Sequence, residues 1–110
     1  FACAESVCYI LQKAGVDIPL FISTAKLNNW LKASPKFKIT LEAKAGNIII
    51  SPTGMGNGSV PTGHVGIFSD TRIMSNDSVT KKWLENFTLD GWVRIYRTKG
   101  GFPIYFYEVL

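Results

Sequence analysis

Residues 64–76, HVGIFSDTRIMSN, decide how this chain folds. Two runs rich in β-branched and apolar residues, 64 to 69 and 72 to 76, flank Asp70 and Thr71, which is the pattern of a β-hairpin. The first strand opens with His64, the only histidine in the chain. Because side chains alternate along a strand, the length of the turn fixes which residues share a face with His64. A three-residue turn (Asp70 to Arg72) pairs Ser69 with Ile73, puts Gly66 opposite Asn76 and brings Asn76 onto the face of His64. A two-residue turn (Asp70, Thr71) puts His64 opposite Asp77, with Ser75 on the same face. The residues by themselves leave both registers open.

Outward from the hairpin, similar runs stand at 37–41 (FKITL), 47–51 (NIIIS), 92–97 (WVRIYR) and 104–109 (IYFYEV), and each is expected to be a strand. Residues 81–87, KKWLENF, read as a helical turn. The start of the chain is different. In CAESVCYILQKAGV (3–16), Val7, Ile10, Leu11 and Ala14 recur at helical spacing, and Gly15 followed by Pro19 supplies the stop. A second helix is expected from a Ser23 or Thr24 cap through Leu27, Trp30 and Leu31, ending before Pro35. Helices first and strands afterwards, with short connections, predict an α+β fold whose N-terminal helices pack on an antiparallel sheet of about five to six strands.

A chain of 110 residues is one domain, here residues 1–110, and 46% hydrophobic content with 18% charged residues places it among folded proteins rather than disordered ones. It begins at Phe1 rather than Met, so an upstream segment is expected to be missing. No apolar stretch nears the roughly 20 residues of a membrane span. The net charge of +4 is scattered singly or in pairs along the chain, and no basic and aromatic residues interleave on one strand as a stacking platform needs, which argues against nucleic acid.

Two residues suit nucleophilic chemistry. Cys3 falls on the apolar face of the first helix at its N-terminal end, where free amide hydrogens and the helix dipole favour a thiolate. His64 is the matching base. Glu5 in the same turn works against the thiolate, and no Ser, Thr, Asp or Asn precedes Cys3 as a cap. Cys8 reads as a buried filler, and on one helix the two cysteines point about 140° apart, a poor disulfide. One histidine and two cysteines give no metal-site spacing. The loop PTGMGNGSVPTG (52–63) carries Pro-Thr-Gly at both ends; it has neither the following helix nor the Lys-Ser/Thr of a phosphate loop, and is expected to be a flexible rim beside His64. Asn57, Asn76 and Asn86 stand in N-x-S/T sequons, which matter only in a protein secreted by a eukaryote. No cofactor is expected.

Three motifs in order carry a resemblance. CAESVCYILQKAGV is similar to the opening of NlpC-type and CHAP cell-wall hydrolases, AGNIIIS (45–51) to their Gly-Asp pair with its apolar strand, and GHVGIFSD (63–70) to their His-Val-Gly-Ile strand. The chain departs from that pattern at Ala2, where NlpC-type enzymes commonly have Asp, and at Asn47. The resemblance implies a papain-like fold with Cys3 as nucleophile and His64 as general base. It also implies a third polar group on the next strand; the family position favours Asn76, with Asp77 in reserve and Ser75 as a further option. The implied activity is cleavage of an amide bond in peptidoglycan, by endopeptidase or N-acetylmuramoyl-L-alanine amidase chemistry, in an extracellular, periplasmic or phage-associated setting. Wall binding would then reside outside this chain or in a larger assembly. The alternatives are an acyltransferase of the same fold and a non-catalytic wall-binding module.

Overall fold

The computed structural model describes residues 3–77 and 79–110; Ala2 lies outside them. Helix α1 spans Cys3–Lys13 and α2 spans Thr24–Ala33. They are followed by β1 (Phe37–Thr40), β2 (Ile48–Ser51), β3 (His64–Ser69), β4 (Arg72–Asn76), β5 (Trp83–Thr88) and, after a further helical stretch, β6 (Tyr105–Val109). The six strands form one sheet in the order β1-β6-β2-β3-β4-β5, antiparallel throughout, as the α+β reading expects. The Ser23 cap of α2 is in place, its hydroxyl accepting from the Lys26 amide at 3.3 Å, and the helix stops at Ser34, just before Pro35.

Both faces of the sheet are covered. Val7, Cys8 and Leu11 of α1 and Leu27 and Leu31 of α2 pack against Ile48, Ile50, Val65, Ile67 and Tyr107. On the other face Ile49, Phe68 and Ile73 meet Trp92, Tyr96 and Phe102. This explains the unbroken Ile48-Ile49-Ile50 run: alternate side chains enter different cores, so every position is apolar. Each such side chain removed from water contributes about 1.5–3 kcal/mol. Two buried hydrogen bonds tie the layers to the sheet, from Tyr107 Oη to Asn28 Oδ1 (2.8 Å) and from Trp92 Nε1 to Ser51 Oγ (3.1 Å).

Two expectations fail in the stretch that builds the second layer. Residues 81–87 are not a helical turn: Trp83–Thr88 is strand β5, paired with β4. Residues 92–97 are not a strand. Helix α3 (Leu89–Trp92), capped by Thr88, runs on into a π-helical segment, Val93–Lys99. A strand would set Arg94 on the same face as Trp92 and Tyr96 and bury its guanidinium between two aromatic rings. The helical path keeps Trp92 and Tyr96 on one side, buried, and leaves Arg94 exposed.

Candidate active site

The hairpin takes the shorter turn. Ser69 pairs with Arg72, Phe68 with Ile73 and Ile67 with Met74, so the turn is Asp70-Thr71. Asp70 sits in the left-handed region (φ 62°), which Asp tolerates better than most residues. Continued, this register sets Gly66 opposite Ser75, Val65 opposite Asn76 and His64 opposite Asp77. The expectation that Asn76 stands behind the His64 ring is therefore corrected: Asn76 shares the face of Val65, toward α1, while His64 and Ser75 share the other.

His64 Nε2 lies 2.9 Å from Ser75 Oγ, and Ser75 donates its hydroxyl to Asn86 Oδ1 at 2.7 Å. A hydroxyl has one proton. With that proton given to Asn86, the Ser75 oxygen accepts from Nε2–H, and Nδ1 is the unprotonated nitrogen of the ring. Ser75 is fully buried, so the relay is held from both sides. Asn86 reaches it through an irregularity between β4 and β5: Ile73 pairs with Phe87 and Ser75 with Leu84, leaving Met74 to face both Glu85 and Asn86. Nothing in the sequence marks that bulge, and Asn86, which accepts the Ser75 hydroxyl, is a residue of the candidate site that sequence reasoning missed.

The imidazole is clasped by aromatic rings. Trp92 stacks on it with centroids 5.3 Å apart and planes 24° apart, Tyr96 at 6.0 Å and 20°, and Phe87 lies at 5.7 Å. Burial among them disfavours the imidazolium and pulls the pKa from 6.5 to about 4, against a weaker upward pull from the Asp77 carboxylate. His64 is neutral at pH 7. Gly66 makes the arrangement possible, since a β-carbon there would stand 2.6 Å from Ile73 Cγ2 and 3.4 Å from Ser75 Cβ.

Cys3 arrives from the other face, at the first turn of α1. Even-numbered amides of β3 point to β2, as that of Phe68 does in bonding Asn47 O at 2.9 Å, so the Val65 amide points toward β4. The β3–β4 pairing ends at Ile67–Met74, which leaves the Val65 amide near the Cys3 sulfur, where it favours the thiolate. Burial raises the Cys3 pKa above its ordinary value, and the amides of Ala4 and Val65 offset only part of that rise. The helix start thus does not yield a thiolate at rest, contrary to the expectation from the dipole. Glu5 acts on Cys8, not on Cys3, and Cys8 is wholly buried in the α1 core.

Cys3 and His64 open into one cleft of about 510 Å³, shared with Thr24, Thr53, Asn76, Asp77, Asn86 and Tyr96. Among the described residues no hydrogen bond joins the two. The 52–63 loop forms part of the rim, and it is fastened rather than free. Thr53 Oγ1 accepts from the Gly63 amide (3.0 Å) and from Thr24 Oγ1 (2.9 Å), which links the two Pro-Thr-Gly ends to each other and to α2. The loop's tip is held by Asn57 N–H to Gly100 O (2.7 Å) and Ser59 Oγ–H to Lys99 O (2.6 Å).

Among the described residues, no group of three or more His, Cys, Asp or Glu side chains is placed to hold a metal ion, and no helix is long and apolar enough to cross a membrane. Compared with protein-family models, with curated proteins and with solved structures, the chain gives no match in any of the three.

Proposed function

We propose that this protein is a papain-like cysteine hydrolase that cuts an amide bond, with Cys3 as nucleophile and His64 as general base. The observation that carries the reading is the His64–Ser75–Asn86 relay, which commits Nε2 and leaves Nδ1 as the basic nitrogen, in the cleft that also contains Cys3. Nucleophile, base and an orienting group behind the base are the parts such chemistry needs. Ser75, not Asn76, has the orienting place.

With a raised thiol and a neutral imidazole, catalysis starts from S–H and a free Nδ1 rather than from an ion pair. As the Cys3 sulfur bonds to the carbonyl carbon, its proton passes to Nδ1. The imidazolium returns that proton to the departing amine as the C–N bond breaks, leaving a thioester. Water then attacks the thioester, again losing a proton to His64, and the acid and the Cys3 thiol are released. Hydrogen bonds of this kind are often long before substrate enters and tighten in the complex.

The substrate class, peptidoglycan in a wall-facing setting, rests on the resemblance of residues 3–16, 45–51 and 63–70 to NlpC-type and CHAP hydrolases. Incubating purified peptidoglycan with the wild type, Cys3→Ala and His64→Ala, and reading released fragments by mass spectrometry, tests the reading and names the bond. Release by the wild type alone is the expected result; no release by it, or full activity of Cys3→Ala, refutes it. One observation favours a second reading, a non-catalytic wall-binding module: both members of the pair are buried in their uncharged forms. Wall binding that survives Cys3→Ala, with no fragment released by the wild type, would select it.

A further inference from the structure

We infer that Tyr96 is a catalytic residue of this site, its hydroxyl donating a hydrogen bond to the oxyanion that forms when Cys3 attacks the scissile carbonyl. The inference rests on the hydrolase reading. Tyr96 lines the cleft together with Cys3 and His64, and its ring lies nearly parallel to the imidazole, at 6.0 Å and 20°. It is held from behind by Phe102, edge-on at 5.9 Å, and by Trp92 at 4.8 Å, so the phenol is aimed by packing and not by a flexible stem. Among the described residues its hydroxyl has no hydrogen-bond partner, and since no buried side-chain polar atom lacks one, the hydroxyl is the part of this largely buried residue that opens into the cleft. The segment that presents it, Val93–Lys99, is π-helical, a rare geometry that occurs frequently at functional sites.

Two electrostatic facts fit the role. Burial, with a further upward pull from Cys3 whenever that thiol is ionised, pushes the Tyr96 phenol up to about 12, so it stays a donor at every pH at which the enzyme could work. That same coupling means negative charge at Cys3 is felt at Tyr96. When sulfur bonds to carbon, the carbonyl π electrons move to oxygen, and a donor already held in place is worth most at that moment. No covalent bond to Tyr96 forms and no proton need leave it.

The test uses a soluble peptidoglycan fragment containing the bond that the wild type cuts. Tyr96→Phe keeps the ring that stacks on His64 and removes only the hydroxyl. The expected result is a fall in kcat of roughly 10²–10³-fold with KM changed by less than about threefold, and an unshifted pH profile. A kcat within about twofold of wild type overturns the inference while leaving the hydrolase reading intact; a wild type that cuts nothing overturns both. Should Tyr96→Phe fold poorly, 3,5-difluorotyrosine at position 96 supplies the second arm. A more acidic phenol of similar shape should raise kcat at pH 6, and an unchanged or lower kcat counts against the oxyanion contact.

Discussion

Protonating His64 should cost this fold about 3 kcal/mol, and the chain's single histidine makes the measurement clean. The folded ring titrates at about 4 because Trp92, Tyr96 and Phe87 exclude water from it, whereas an unfolded histidine titrates near 6.5. The unfolded chain therefore binds the proton first as pH falls, so stability is full above pH 6.5 and declines down to pH 4. At 1.36 kcal/mol per pH unit, the gap between about 4 and 6.5 gives about 3 kcal/mol. For about 110 residues that is a fall of roughly 12 °C in melting temperature. Urea denaturation at half-unit steps from pH 7 to pH 4 reads the slope, and His64→Gln, run in parallel, removes this contribution while keeping the carboxylates that titrate in the same range. A one-histidine NMR titration gives the folded pKa directly. A ring that titrates near 6.5 in the native protein, or equal slopes for wild type and His64→Gln, would show that the aromatic clasp does not exclude water and would refute the reasoning.

Other substitutions probe the same geometry. Ser75→Ala strands His64 Nε2–H and Asn86 Oδ1, each at about 1–3 kcal/mol; a loss of about 2–6 kcal/mol in urea midpoint analysis is expected, whereas Asn76→Ala, which removes no bond to the ring, should leave the His64 NMR titration in place. Gly66→Ala forces a β-carbon against Ile73 and toward Ser75, so overpacking of about 1–3 kcal/mol is expected, together with displacement of the His64 ring signals; thermal melting within a degree of wild type would contradict it. Alkylation of Cys3 by iodoacetamide across pH should show the thiol reacting with an apparent pKa above its ordinary value, and a thiolate already formed below pH 7 would contradict the burial seen at α1.

Much of the frame can be read from local signals. The Ser23 cap, the Pro35 stop and the 3.6-residue spacing of Val7, Leu11 and their neighbours define α1 and α2 without reference to the rest of the chain. Short β-rich runs define β1, β2, β3, β4 and β6 in the same way, and Cys3 and His64 stand out as the only thiol and imidazole suited to act together.

What the sequence left open is decided across distances no local pattern spans. Strand propensity depends on what a residue packs against, and WVRIYR is helical because that path buries Trp92 and Tyr96 over His64 while keeping Arg94 in water. The two-residue turn at Asp70 is a difference of one residue, yet it moves Asn76 to the opposite face and gives Ser75 the ring. Asn86 enters only through the β4–β5 bulge. The thiol's charge state follows the same division: sequence places Cys3 at a helix start, where a thiolate is favoured, but the packing of α1 on the sheet buries the sulfur, and desolvation outweighs the amides that point at it.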